Sequence, residues 1–261
     1  MNVGSPWLIR YKHNPVASIR LFCFHCVGGS ASEFRSWPAH FPSHIELFAV
    51  QLPGREGRLR EPFVASTEDL VSGVVAAITP LLDKPYVIFG HSFGAIGGFE
   101  VIRELRRRGL RQPFLFIPGG RRGAHVKENK PPIASLSEDE FMEEIRRRYG
   151  NHLPIWESAE LREMVMPQIH ADFALSESYR YCEGAPLDCP IVAFAGVSEK
   201  NLTPDALNAW SAHTQRSFES LRFPGGHFFI RESQVLVIDT IKQAIVSARS
   251  EQLASSRAQL V

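Results

Sequence analysis

The sequence predicts a doubly wound α/β fold, a mostly parallel sheet with helices on both faces. Three observations carry this. Short, predominantly apolar runs recur along the chain, three of them (Tyr86–Phe89, Phe114–Ile117 and Ile191–Ala195) apolar at every position, and amphipathic stretches separate them. A strand covered on both faces cannot alternate polar with apolar residues, so continuous Val, Ile and Phe mark the interior of such a sheet. Alternation of strand with helix then gives the parallel arrangement.

The elements follow in order. Strands are expected over Ile19–Val27 and Ile45–Leu52. Ser66 can cap a helix running to about Leu82, with Asp69 three residues on. A strand at Tyr86–Phe89 precedes a helix over Ala95–Arg108, which Gly109 stops. Arg106, Arg107 and Arg108 occupy its last turn, where cations complement the helix dipole. Phe114–Ile117 and Ile191–Ala195 are further buried strands, and the more mixed Ser217–Phe223 suits a sheet edge. Glu232–Arg249 closes the fold with a stripe of Val235, Ile238, Ile241 and Ile245.

From about Arg122 to Glu183 the alternation stops. Ser137 and Glu140 form a capping box, and Glu160–Tyr181 is again helical. A helical insertion between two strands is expected to be a lid over a site. Its apolar residues Phe141, Ile155, Trp156, Met164, Met166 and Phe173 either line a channel or form the lid's own core. The 261 residues are thus expected to form one domain with a lid over about 122–183.

Composition excludes several classes. Twenty-nine basic and 28 acidic residues leave a net charge of +1, so no global field favours nucleic acid or a membrane surface. The arginine runs are interleaved with Glu100, Glu104, Glu143 and Glu144, which makes them solvated helix faces, with a docking patch for an acidic partner as the sharper alternative. No apolar run approaches the roughly 18 residues needed to span a bilayer. The opening residues MNVGSPWLIRYKHNP lack a signal-peptide core, so a cytoplasmic protein is expected. Cys23 and Cys26 form a C-x-x-C, but Cys182 and Cys189 are too widely spaced to complete a zinc ribbon. Cys23 and Cys26 are therefore expected to be buried thiols, with no metal.

The chemistry centres on Tyr86-Val-Ile-Phe-Gly90-His91-Ser92-Phe93-Gly94-Ala95, a strand, G-x-S-x-G, then a helix. This is the nucleophile elbow of the α/β-hydrolase fold, whose tight turn needs Gly90 and Gly94 beside Ser92. A serine hydroxyl needs a base, and in this fold the order along the chain is Ser, acid, His. Of ten histidines, His227 lies in the loop between the last strand and last helix, which selects it. His91 should point away from Ser92; His13, His40, His44 and His213 lie on surface-like segments, and His170 falls in the insertion. The acid comes from the loop after Ile191–Val197, where Glu199 is nearest the strand and Asp205 is the alternative. Backbone N–H groups of Phe93 and Val27 are the expected oxyanion donors.

The chain resembles the type II thioesterases, free-standing editing hydrolases of polyketide and non-ribosomal peptide synthesis. The likeness runs from about Arg20 to Ile245. Its carriers are Gly28–Ala31 with Trp37, Gln51-Leu-Pro-Gly-Arg55-Glu with Arg58 and Glu61-Pro62, Gly90–Gly94, and Gly120-Arg-Arg122. Pro131-Pro-Ile133, His170-Ala-Asp-Phe173 with Tyr179 and Tyr181, and Pro224-Gly-Gly-His-Phe-Phe229 complete the set. Three positions depart from it. Val27 replaces a usual Ala, which implies a narrower site at the thioester carbonyl; Glu199 stands where Asp is usual, so the longer acid reaches by another rotamer; and Pro118-Gly119 replaces a Ser before Gly-Arg-Arg.

The resemblance implies hydrolysis of acyl groups held as thioesters on the phosphopantetheine arm of acyl or peptidyl carrier proteins. Ser92 would form an acyl-enzyme, with no cofactor, no nucleic-acid or membrane partner, and a monomeric enzyme. The triad alone is shared with esterases or lipases of free small esters and with acyltransferases. A partner-binding relative with a dead triad is a further class.

Overall fold

The structure is a computed structural model and describes residues 4–128, 130–150 and 158–258. The chain enters through the short strand β1 (Leu8–Ile9), then β2 (Ile19–Phe24), β3 (Ile45–Val50), α1 (Thr67–Ile78) and β4 (Tyr86–His91). Next come α2 (Phe93–Arg107), β5 (Leu115–Gly119), α3 (Glu138–Tyr149) and α4 (Ala159–Ser178). Then β6 (Ile191–Gly196), α5 (Pro204–Asn208), β7 (Phe218–Phe223), α6 (Phe229–Glu232) and α7 (Gln234–Ala258) complete it. Among the described residues the strands form one sheet, ordered β1-β3-β2-β4-β5-β6-β7. Only β1 runs antiparallel, pairing Leu8 with Val50; every other neighbouring pair is parallel.

The pleat explains the continuous apolar strands. On β2 and β4, Phe22, Phe24, Tyr86 and Ile88 pack on one face with α1 and α2, while Leu21, Cys23, Val87 and Phe89 join α7 on the other. Both faces are core, which keeps these strands apolar, and the buried exception on β2, Arg20, satisfies its guanidinium with the Leu81 carbonyl and Asp83. β7 lies at the edge with half its residues partly exposed, as its mixed sequence requires.

Several boundaries differ from the sequence expectation. β2 ends at Phe24 rather than Val27, because the chain turns out of the sheet at Gly28, whose φ of +69° favours glycine. β5 continues through Pro118 and Gly119. The last helix is preceded by the short α6; of its expected stripe Ile238, Ile241 and Ile245 are buried, whereas Val235, next to the helix start, is 61% exposed and Val237 is buried instead. His213 is buried against Trp210 and Phe99 and hydrogen-bonds His125, contrary to its surface-like sequence context. Ser66 and the Ser137–Glu140 box cap their helices as expected. Among the described residues no helix is long and apolar enough to cross a membrane.

In the insertion, α3 and α4 share a small core of Ile133, Phe141, Ile145, Met166 and Phe173. Phe141 and Phe173 therefore serve that core, Met164 is exposed, and Ile155 and Trp156 lie outside the described residues.

One buried ion pair ties α4 to the sheet. Arg55 donates to both carboxylate oxygens of Asp172, at 2.8 and 2.7 Å, and to the Gly29 carbonyl at 2.9 Å. Asp172 also accepts from the Gly28 N–H at 2.8 Å, and Gln168 donates to the carbonyls of Gly28 and Gly29. Both charges are almost wholly buried, so removing one strands the other in low dielectric. Arg55→Met should cost about 3–5 kcal/mol, read as a lowered denaturant midpoint. Asp172→Asn should cost a comparable amount, because the amide leaves the buried Arg55 charge without a counter-ion and turns an NH2 donor towards groups that themselves donate. A midpoint unchanged in Arg55→Met would mean that the pair contributes nothing.

Candidate active site

Ser92 occupies the turn between β4 and α2 with φ +56° and ψ −118°, a conformation that a non-glycine residue rarely adopts. The surroundings impose it. The Ser92 N–H donates to the Gly119 carbonyl at 2.7 Å. A Cβ on Gly90 would lie 2.2 Å from the Gly94 carbonyl oxygen, and one on Gly94 would lie 2.5 Å from the Phe24 oxygen. The two glycines are therefore required by close backbone approach.

His227 sits in the loop after β7. Gly196, at the end of β6, lets that loop approach: a Cβ there would lie 2.1 Å from the Gly226 oxygen. The Ser198 N–H donates to Gly225, which ties the His227 loop to the Glu199 loop. As a result His227 Nδ1–H donates to Glu199 Oε1 at 2.9 Å. Nε2 is then the acceptor, and the Ser92 hydroxyl lies 3.1 Å from it. Glu199 is buried, and the longer carboxylate spans the distance. Asp205 is exposed in the first turn of α5, behind the Thr203 cap, and does not reach the imidazole.

His91 does point away from Ser92, but it is not idle. Its Nε2–H donates to the His227 carbonyl at 2.8 Å, holding the loop that carries His227. Burial, and then the neighbouring His227, push its pKa down to about 4, against the weaker upward pull of Glu33 and Glu199. Sequence reasoning gave it no role beyond its place in the elbow.

Phe93 begins α2 and Val27 lines the cavity beside Ser92. Among the described residues neither N–H has an acceptor within the protein, which leaves both for a ligand oxygen. The neighbouring Gly28 N–H is taken by Asp172. Arg55, Gln168 and Asp172 thus shape the loop that carries Val27. Arg55 and Asp172 stood out in the sequence only as family-like residues, and no periodicity joins positions 117 apart.

Two cavities meet at Ser92. One, about 290 Å³, is largely apolar and runs under the insertion, lined by Val27, Ile145, Tyr149, Leu161, Val165, Ile169, Phe173, Phe228 and the polar group at its end. Tyr149, the last residue of α3, lies with its ring 5.1 Å from that of His227. The other is a small cleft lined by Arg121, Arg122, Lys130, Arg148, Glu199 and Asn201. Arg122 pairs with Glu128 and Arg148 with Glu144, whereas Arg121 has no ion pair among the described residues.

A strained serine above a parallel sheet, hydrogen-bonded to a histidine that a buried carboxylate orients, defines a serine hydrolase of the α/β-hydrolase class. The comparisons narrow this. The family model described as "Thioesterase domain" matches residues 19–245. The gramicidin S biosynthesis protein GrsT of Aneurinibacillus migulanus is 34% identical over 89% of this chain and 91% of its own. The RedJ thioesterase of the prodiginine pathway of Streptomyces coelicolor superposes with a TM-score of 0.82 at 32% identity, covering 89% of this chain and 87% of its own. The type II thioesterase BorB of the borrelidin cluster gives 0.80 at 28% identity, covering 91% and 95%. The chain belongs to the thioesterase family, a family of thioester hydrolases.

Two outcomes follow from this geometry. Glu199→Gln should lower thioester hydrolysis by two or more orders of magnitude, by analogy with loss of the orienting acid in other triads, while Asp205→Asn should leave it within about twofold. The reverse ranking would move the acid to α5. Second, His91 loses its proton more readily folded than unfolded, so it contributes stability above pH 6.5 that is lost as pH falls towards 4. The loss amounts to about 3 kcal/mol. Denaturation of wild type and His91→Gln across that window should show a shallower pH slope in the variant; parallel slopes would contradict it.

Proposed function

We propose that this enzyme releases acyl groups from the phosphopantetheine arm of acyl or peptidyl carrier proteins, editing misloaded or stalled units in polyketide or non-ribosomal peptide synthesis. The observation that carries it is the hydrogen-bonded Ser92–His227–Glu199 chain at the floor of an apolar cavity beneath the insertion. The names of relatives in gramicidin S, prodiginine and borrelidin biosynthesis support the same setting.

In this reading Ser92 Oγ attacks the thioester carbonyl as its proton passes to His227 Nε2. Glu199 stabilises the imidazolium and keeps Nδ1–H in place. The oxyanion meets the N–H groups of Val27 and Phe93 at the positive end of α2. Collapse expels the pantetheine thiolate, which takes the proton from His227. Water then attacks the acyl-enzyme, giving its proton to the same Nε2, and the carboxylic acid leaves as Ser92 is restored. Nucleophile, base and donors all come from the chain, and the scheme calls for no cofactor.

The acyl chain occupies the apolar cavity, with α3 and α4 as the lid of a single domain that excludes water during acylation. The amide-bearing arm and its phosphate suit the cationic cleft at Arg121, and an acidic carrier helix suits the rim around Arg122 and Arg146–Arg148. A monomeric, cytoplasmic enzyme is consistent with this.

Ser92→Ala should fold normally and lose activity by several orders of magnitude, down to the residual rate that binding and oxyanion contacts supply. Wild-type turnover would end the acyl-enzyme scheme. Carrier-bound acyl groups should be hydrolysed with higher kcat/KM than the same acyl group on a short thiol, and added salt should shrink the difference, because rim charges act mainly on encounter. Equal efficiency at low salt would make the enzyme a general small-molecule esterase.

A further inference from the structure

Behind the proposed oxyanion loop, three side chains converge that take no part in the proposed proton transfers. Cys26, Glu33 and His91 each place a donor atom within 4.8 Å of the others. Each donor lacks a better partner. His91 Nε2–H is committed to the His227 carbonyl, which leaves Nδ1 as a lone pair, and that nitrogen is buried without a hydrogen bond. Glu33 Oε1 is held by Arg231, at 2.9 and 2.8 Å, so Oε2 is the oxygen left to face Cys26, with Sγ 3.9 Å away. The Glu33 carboxylate is only 3% exposed, and Cys26 lines the wall of the apolar cavity, which supplies a route from solvent.

We propose that Cys26, Glu33 and His91 form a binding site for Zn²⁺, and that its occupancy inhibits hydrolysis. The donor set is one thiolate, one imidazole and one carboxylate, the types zinc prefers, with a cavity water free to complete four-coordination. A histidine that donates its second ring N–H to a backbone carbonyl is the usual arrangement for a metal ligand, since that bond fixes the tautomer and aims the lone pair. Zinc-donor bonds of about 2.0–2.3 Å require the three atoms to close by about 1 Å, within reach of side-chain rotation at Cys26 and Glu33. On binding, the Cys26 S–H gives its proton to solvent and the sulfur bonds the ion; no electrons are transferred. Arg231 balances the carboxylate in the empty site and keeps Oε1 when the ion is bound.

The link to catalysis is through the backbone. Cys26 is joined to Val27, whose N–H is the proposed oxyanion donor, and His91 holds the carbonyl of His227. An ion that draws Cys26 and His91 together displaces both from the geometry that hydrolysis uses.

The test titrates the metal-free, full-length enzyme with Zn²⁺ against a chromophoric chelator, and separately with Co²⁺, whose bond to a thiolate gives a near-ultraviolet charge-transfer band. The expected result is one Zn²⁺ per chain and a cobalt–thiolate band. Cys26→Ala should abolish the band and weaken Zn²⁺ at least tenfold, and His91→Gln should weaken it comparably. Cys182→Ser, at the exposed free cysteine, should change neither. Zinc should inhibit the wild type, and should inhibit Cys26→Ala much less relative to that variant's own zinc-free rate. Circular dichroism checks the fold of each variant. Absence of stoichiometric zinc, a band that survives Cys26→Ala, a band lost in Cys182→Ser, or undiminished inhibition of folded Cys26→Ala would each overturn the proposal. The last would put the ion on His227 and Glu199 instead.

Discussion

The tight turn at Ser92 is the constraint on which the rest of the site depends. Holding a non-glycine residue at φ +56° costs on the order of 1–3 kcal/mol, and it persists only because its neighbours leave no alternative. Gly90 and Gly94 permit backbone contacts that any side chain would block, and the Gly119 carbonyl on the adjacent strand fixes the Ser92 N–H. The turn projects the hydroxyl from the end of the sheet and starts α2 directly beneath it. Given that fixed point, the loops after β6 and β7 need only meet above it. Gly196 and the Ser198–Gly225 hydrogen bond make them meet, so Glu199, His227 and Ser92 line up.

Local signals in the sequence were the legible ones. The elbow joins an apolar strand, two glycines and a helix in one short segment, so its chemistry is written contiguously. His227 followed from chain order and its Gly-Gly loop. The acid was left between Glu199 and Asp205 because residue type alone cannot separate them. The fold separates their surroundings: the Thr203 cap leaves Asp205 an exposed first-turn carboxylate, whereas Glu199 is buried and hydrogen-bonds the His227 imidazole. Long-range pairings were not legible. Arg55 and Asp172 carry no mutual signal until the fold brings them together, and His213 is buried only because Trp210, Phe99 and His125 surround it. β1 is two residues long, too short for any period to register. On α7 the spacing of Ile238, Ile241 and Ile245 is legible and all three are buried, and of the expected stripe only Val235, beside the helix start, is exposed.

Hydrogen bonds tie the insertion to the loop at Val27. Asp172 and Gln168 on α4 bond the backbone of Gly28 and Gly29, while Arg55 clamps Asp172 from the segment after β3. Motion of α4 is therefore coupled to the backbone next to the proposed oxyanion donor. In the proposed function, closing α4 over the acyl chain would set the geometry of the proposed donor in the same movement.

The most direct measurement of the central claim is the chemical state of Ser92 during turnover. Wild-type enzyme is mixed with a carrier protein loaded with an acyl group, quenched in acid within milliseconds, digested and weighed by mass spectrometry. Acylation at Ser92 requires the peptide containing Ser92, and no other, to gain the mass of the acyl group minus one hydrogen, at a level that rises and decays with turnover. Hydrolysis proceeding with no acylated Ser92 peptide at any quench time, or with the acyl group on a different residue, would contradict it.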